Sequence, residues 1–182
     1  MTETLNTKNK HKLSPEVVSL TQPYIKSLEG KYFIGQGEPL TFGQGLSAWG
    51  GLFNPCDSGI ILHVNVFTIT NLSNESFISQ IWLNANPIDE GIEAAKISPS
   101  NTVISPPQIP KVKLLYRQTT QESFTDGVNI FIREVPPNTT IRTEEDGKFI
   151  IPPGGSFITL LTPPRNNTIK AVTAFGWWEE KI

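Results

Sequence analysis

The sequence predicts an all-β protein: an antiparallel β-sandwich, jelly-roll-like, at residues 31–182, preceded at 1–30 by a tail and a short helical or extended arm. Three observations carry this. From residue 31 onward, β-branched and aromatic runs recur at roughly ten-residue spacing between Gly, Pro, Asn and Asp turns. Pro pairs stand between such runs at "VPPNTTI" (135–141) and "IPPGGSF" (151–157), where Pro removes backbone donors and blunts sheet edges. No fixed period repeats, which sets aside propellers and solenoids.

Taken in order, residues 1–12 are a polar tail with Lys8, Lys10 and Lys12 clustered. In "LSPEVVSLTQPYIKSLEG", Ser14 offers a hydroxyl cap, Pro15 suits a first turn, and Glu16 complements the positive helix end. Leu13, Val17, Leu20, Tyr24 and Leu28 recur at intervals of 4, 3, 4 and 4, an amphipathic face. Pro23 is expected to kink or split this helix, and Gly30 to end it. The arm either packs on its own domain or docks on a neighbouring subunit.

"KYFIG" opens the strands. "GQGEPLTFGQGLSAWGG" (35–51) holds six glycines and predicts a flexible or tightly turned loop. In "GIILHVNVFTITN" (59–71), alternation puts Leu62, Val64 and Val66 on one face and Ile61, Phe67 and Ile69 on the other. The "NLSNES" turn cluster and "FISQIWLN" (77–84) make this pair an antiparallel hairpin. Residues 85–110 carry Pro87, Pro99, Pro106, Pro107 and Pro110 and predict a surface crossover. Then come "KVKLLYRQ", "GVNIFIREV", "TTIRTE", "KFII", "SFITLLT" and "IKAVTAFGWW", with the Asp-Gly of "EEDGKF" as a hairpin turn.

At 182 residues the chain suits one domain with a proper core, and 37% hydrophobic with 18% charged residues sets aside a disordered chain. A net charge of −2 leaves no basic footprint for nucleic acid or an anionic membrane surface. No apolar run approaches the roughly 20 residues of a spanning helix. The polar N-terminus lacks the apolar core of a secretory signal, so cytoplasmic synthesis is expected, with lysis or non-classical export open. The N-x-S/T sequons at Asn71, Asn74, Asn138 and Asn166 are then turn asparagines.

Catalytic chemistry finds little footing. His11 and His63 are the only histidines, too few with one cysteine for a His/Cys metal site. His63, mid-strand, is expected to be a hydrogen-bonded sheet residue, and Cys56 a small buried hydrophobe. A Cys56–His63 nucleophile pair is formally allowed, but "NPCDSG" matches no nucleophile turn. The acidic pairs Asp89–Glu90, Glu144–Glu145–Asp146 and Glu179–Glu180 fall in turns or at the chain end and are expected to be solvated. No catalytic, cofactor-binding or metal-ligating residue is assigned. The GxG patterns of 35–51 precede no helix that could receive a phosphate.

Aromatic residues point to a binding surface instead. Trp49, Trp82, Trp177 and Trp178 are candidate anchors, together with Leu13, Val17, Leu20 and Tyr24 of the arm. Consecutive strand residues face opposite ways, so with one sheet face covered only one of Trp177 and Trp178 lies in the core. The other is exposed, covered by the arm, or buried against a partner.

The strings "KYFIGQG", "AWGGLFNP", "VNVFTITN", "IWLNANP", "DGVNIF", "EEDGKFIIPPGGSF" and "AFGWWEEKI" resemble an uncharacterised family of spore-forming Gram-positive bacteria, over residues 31–182. At the level of pattern, "VFTITNLSNESFISQIWLN" and "IPPGGSFITLL" are similar to jelly-roll subunits of endospore appendages, whose N-terminal extension completes a neighbour's sheet. Those subunits use several cysteines for cross-links, whereas this chain has one. The family carries no activity to transfer. The leading reading is a non-enzymatic structural or self-assembling homo-oligomer that works by self-association or surface binding, in a spore or cell-surface layer, with the arm docking on a neighbouring subunit. The alternative is a carbohydrate-binding module that stacks a glycan on exposed tryptophans.

Overall fold

A computed structural model describes residues 18–121, 124–164 and 167–182. The chain forms α1 (Gln22–Leu28), β1 (Tyr32–Gln36), β2 (Leu40–Gly43), β3 (Ser47–Phe53), β4 (Ile60–Asn71), β5 (Phe77–Leu83), β6 (Asn86–Pro87), β7 (Ile92–Glu93) and β8 (Lys96–Pro99). It continues through β9 (Lys113–Thr120), β10 (Phe124–Thr125), β11 (Val128–Val135), β12 (Thr140–Ile151), β13 (Ser156–Thr162) and β14 (Thr168–Lys181). Leu13 and Val17, and the helix start proposed at Ser14, lie outside the described residues.

Every ladder is antiparallel, and the long strands pair as nested partners: β1 with β14, β3 with β13, β4 with β12, β5 with β11. This is one long hairpin rolled up, the wiring of a jelly roll. The first sheet runs β12-β4-β14-β1-β8, with β2 also on β14, and the second runs β11-β5-β13-β3-β9-β7. Their inner faces share one core, in which Phe67 meets Phe157 at 5.2 Å and Phe157 meets Phe175 at 6.4 Å.

Four local expectations are corrected. First, β4 and β5 are not a hairpin; they lie in different sheets. Both alternate, and the short "LSNES" link suits either reading, but the link crosses the sandwich. Asn71 holds it by donating through Nδ2 to the carbonyls of Glu75, Val135 and Pro136. Second, the Asp-Gly of "EEDGKF" makes a bulge. Asp146 (φ 49°) and Gly147 (φ 73°) supply left-handed backbone, which a bulge uses as readily as a turn. Both arms of β12 pair with β4, Glu144 opposite Val66 and Phe149 opposite Val64.

Third, Asn65 is an extra residue opposite the Gly176–Trp177 step, which shifts the phase of β4. Leu62, Val64, Phe67 and Ile69 are therefore all buried, where strict alternation splits them between faces. Fourth, the glycine-rich stretch 35–51 contains β2 and the buried β3. Its glycines serve close packing: a Cβ on Gly50 would stand 2.5 Å from Thr173 Oγ1 of the opposite sheet. The Pro-Pro corners do turn the chain, each carrying it from one sheet to the other, β11 to β12 and β12 to β13. At the second, Gly154 N–H donates to Asn54 O, and Asn54 Nδ2 donates to the carbonyls of Ile60 and Ile151.

Candidate functional site

The outer faces of the two sheets differ in what covers them. On the second sheet, Trp49, Ile158 and Leu160 form a cluster against Ala85, Phe53, Trp82 and Phe124. Gly91 lies so close over Trp49 that a Cβ there would come within 2.4 Å of Cη2. The crossover thus seals Trp49, which is 1% exposed.

On the first sheet, β14 sends Val172, Ala174, Gly176, Trp178 and Glu180 outward, alternating with buried Thr173, Phe175 and Trp177. At the Glu180 end this face is covered. Trp178 stacks on His63 with centroids 5.0 Å apart and planes within 8°. The β12 bulge folds over the indole, so that a Cβ on Gly147 would fall 1.8 Å from Cη2. Helix α1 is pinned beside it. Lys26 Nζ lies 2.7 Å from Glu180 Oε1, and His63 Nε2 lies 3.3 Å from Glu180 Oε2. The Lys26 ammonium hydrogen-bonded to Glu180 holds that carboxyl below its ordinary range, and Glu180 in turn holds Lys26 above its own. Ser27 Oγ and Ser100 Oγ share a hydrogen bond at 2.8 Å.

Both paired tryptophans are therefore buried within the monomer, Trp177 in the core and Trp178 under the bulge. With Trp49, that corrects the candidate surface: three of its four tryptophans present no ring to solvent. Trp82 is half-buried, meets Phe124 edge-on at 5.4 Å, and donates through Nε1 to Gln80 Oε1.

The arm is corrected as well. Pro23 falls in the first turn of α1, where its missing N–H costs nothing, so it starts the helix instead of breaking it. Gly30 (φ 72°) ends it as expected. The side that packs is Lys26, 9% exposed, whereas Leu20, Tyr24 and Leu28 are 50%, 52% and 54% exposed. At about 100° per residue, Tyr24 and Leu28 lie some 200° from Lys26, facing away from the sheet. Of the apolar face predicted from sequence, Tyr24 and Leu28 stand on α1 and point outward, Leu20 precedes the helix, and Leu13 and Val17 lie outside the described residues.

Beyond Tyr32 the cover stops. Ile34 and Gln36 of β1, Val66 and Thr68 of β4, and Ala174 and Gly176 of β14 line an open groove of about 510 Å³. Its floor is deep because glycine and alanine occupy β14 where tryptophan stands further along. Its rims carry two self-neutralised ion pairs, Lys96–Glu38 and Arg142–Glu144.

Other candidates resolve into structure. Cys56 is exposed, against expectation, in the β3–β4 loop. Glu179 is buried, not solvated: its carboxylate accepts from the N–H groups of Lys111 and Val112 and from Trp177 Nε1. Glu145 is also buried. Among the described residues no three His, Cys, Asp or Glu side chains are grouped as a metal site. No helix among them is long and apolar enough to cross a membrane. Sequence reasoning missed the groove, because its lining residues come from strands whose pairing had not been assigned.

Fold and surface define a jelly-roll β-sandwich with one sheet face half sealed and half open. The chain belongs to DUF6143, a family of unknown function whose model matches residues 3–182. Neither a curated protein nor a solved structure matches it.

Proposed function

We propose that the protein is a non-enzymatic, self-associating β-sandwich that works by burying apolar surface against other copies of itself. The observation that carries this reading is the outward apolar face of α1. A helix of seven residues is too short to be stable alone. It is held by Lys26 and Ser27, while Leu20, just before it, and Tyr24 and Leu28 on it are each about half exposed. A spore or cell-surface layer is the setting that the resemblance suggests. The glycan reading keeps only Trp82, a half-buried ring already in contact with Phe124, which is weaker support.

The test is the mass of the full-length chain by light scattering. An oligomer is expected, together with a lower mass for the variant Leu20→Ser/Tyr24→Ser/Leu28→Ser. A wild-type chain that stays monomeric at every concentration overturns the proposal.

A further inference from the structure

We infer that two copies associate face to face through the outer side of the first sheet, the α1 of each seating its apolar face in the groove of the other. This rests on the self-association reading and names its contact and symmetry.

The helix and the groove lie side by side on one face. Lys26 of α1 is bonded to Glu180, and four residues along β14 the groove begins at Gly176. Tyr24 and Leu28 lie on the side of α1 away from the sheet, Leu20 just before the helix is half exposed, and the groove opens on the same outer face. One face thus carries an apolar ridge next to an apolar hollow. A two-fold axis between them places each ridge in the partner's hollow, an isologous contact that closes at two copies.

Charge and area agree with this occupant. A two-fold contact brings like groups toward like near the axis, so an unpaired charge there would repel its own copy. The groove rims instead carry Lys96 paired with Glu38 and Arg142 paired with Glu144. Three strands, β12, β4 and β14, run the length from Val172 to Glu180, and the shorter β1 and β8 widen the face beside the groove, which gives roughly 600 Å² per copy. With the relief of α1 added, that approaches the roughly 800 Å² per partner of a stable interface.

The experiment uses the full chain. Sedimentation equilibrium is run on wild type, on Ala174→Trp, which fills the groove from a half-buried position, and on a chain lacking residues 1–17. Circular dichroism confirms that each folds. In parallel, Cys56→Ser chains carrying either Tyr24→Cys or Ala174→Cys are oxidised separately and mixed.

The inference expects a wild-type dimer, at least a tenfold weaker one in Ala174→Trp, an undiminished one without residues 1–17, and a covalent dimer that the mixture forms far better than either chain alone. A dimer that Ala174→Trp leaves intact, or cysteines that do not link, overturns this contact while self-association stands. An assembly larger than two overturns the symmetry. Loss of the dimer without residues 1–17 assigns the groove to that segment and overturns the inference. A wild-type monomer overturns both this contact and the self-association reading.

Discussion

One sheet face is built in two ways along the same strands. Toward Glu180, β14 places Trp178 outward, and the chain answers it with His63, the β12 bulge and α1. Toward Val172 the outward residues are Gly176, which lies under Tyr32 at the boundary, and Ala174, which opens on the groove. A large ring left in water would be a liability, and the protein spends four residues of β12, 145–148, opposite Asn65 alone to cover it. Small residues need no such cover. The difference teaches that side-chain size along β14 decides where the chain seals its own sheet face and where it leaves a groove open.

The largest effect should come from the sealed half. Trp178→Ala removes a ring that is 3% exposed and leaves a cavity beneath Gly147. A loss of about 3–5 kcal/mol in urea unfolding is expected. A loss under about 1 kcal/mol would mean that the bulge collapses onto the gap, and the two halves would differ less than their packing indicates.

The boundary between the halves comes next. Gly176 lies under Tyr32, and an added Cβ would stand 2.5 Å from the tyrosine Oη and 2.7 Å from Val66 Cγ1. Both are side-chain ends, but Tyr32 Oη accepts a hydrogen bond from Asn65 Nδ2 at 2.8 Å. Gly176→Ala should therefore cost about 1–3 kcal/mol by thermal melting, as overpacking does. The same change at exposed Gly45, which meets nothing within 4 Å but has φ 83°, isolates the backbone part of such a cost.

Much of this contrast was open to sequence reasoning, and the missing part has a physical reason. Most strand positions and the two Pro-Pro corners follow from local composition, whereas β2 and β3 are hidden by the glycines that their close packing requires. Which strands pair does not follow from composition, because a strand buried on one face alternates in the same way in either sheet, and so β4–β5 looks like a hairpin. The Asp146–Gly147 pair has the dihedral freedom of a turn, but only β4, distant in sequence, makes it a bulge. The Trp177–Trp178 pair places one ring outside the core, exposed or covered by the arm or a partner, and the structure covers it with neither arm nor partner but with the chain's own β12 bulge. That the cover is β12 depended on the same long-range pairing. The outward face of α1 was legible as amphipathic, whereas its direction was set by Lys26 reaching Glu180.

The clip of α1 onto the sealed half should have a measurable pH signature. Glu180 is held below its ordinary value of 4.5, chiefly by its hydrogen bond to Lys26, so its contribution is present above 4.5 and is lost as pH falls through its lowered folded value. Lys26 is held above 10.5, chiefly by the same bond, so its share is complete below 10.5 and is lost as pH rises through its raised value. The Glu180 side chain is 38% exposed, which screens the pair and limits the effect to about 1 kcal/mol or less. Glu180→Gln should flatten both limbs of a stability–pH curve measured by urea unfolding. Glu29, shifted downward chiefly by Lys31, would keep a residual acid slope. Unchanged limbs would show that α1 is held by packing and the Ser27–Ser100 bond instead.

The smallest effect belongs to the open half, where a near-zero result is informative. Ile34 is 48% exposed on the groove wall, and threonine keeps the β-branch that suits a strand. If the groove is bare in the monomer, Ile34→Thr should change stability by no more than about 0.5 kcal/mol, as surface substitutions do. Protein concentration decides what a larger loss means. A cost that appears only at high concentration, where copies associate, is linkage to a partner on the groove. A cost of the same size at every dilution would mean that the chain itself covers this half too, and the contrast along β14 would then be between two kinds of cover.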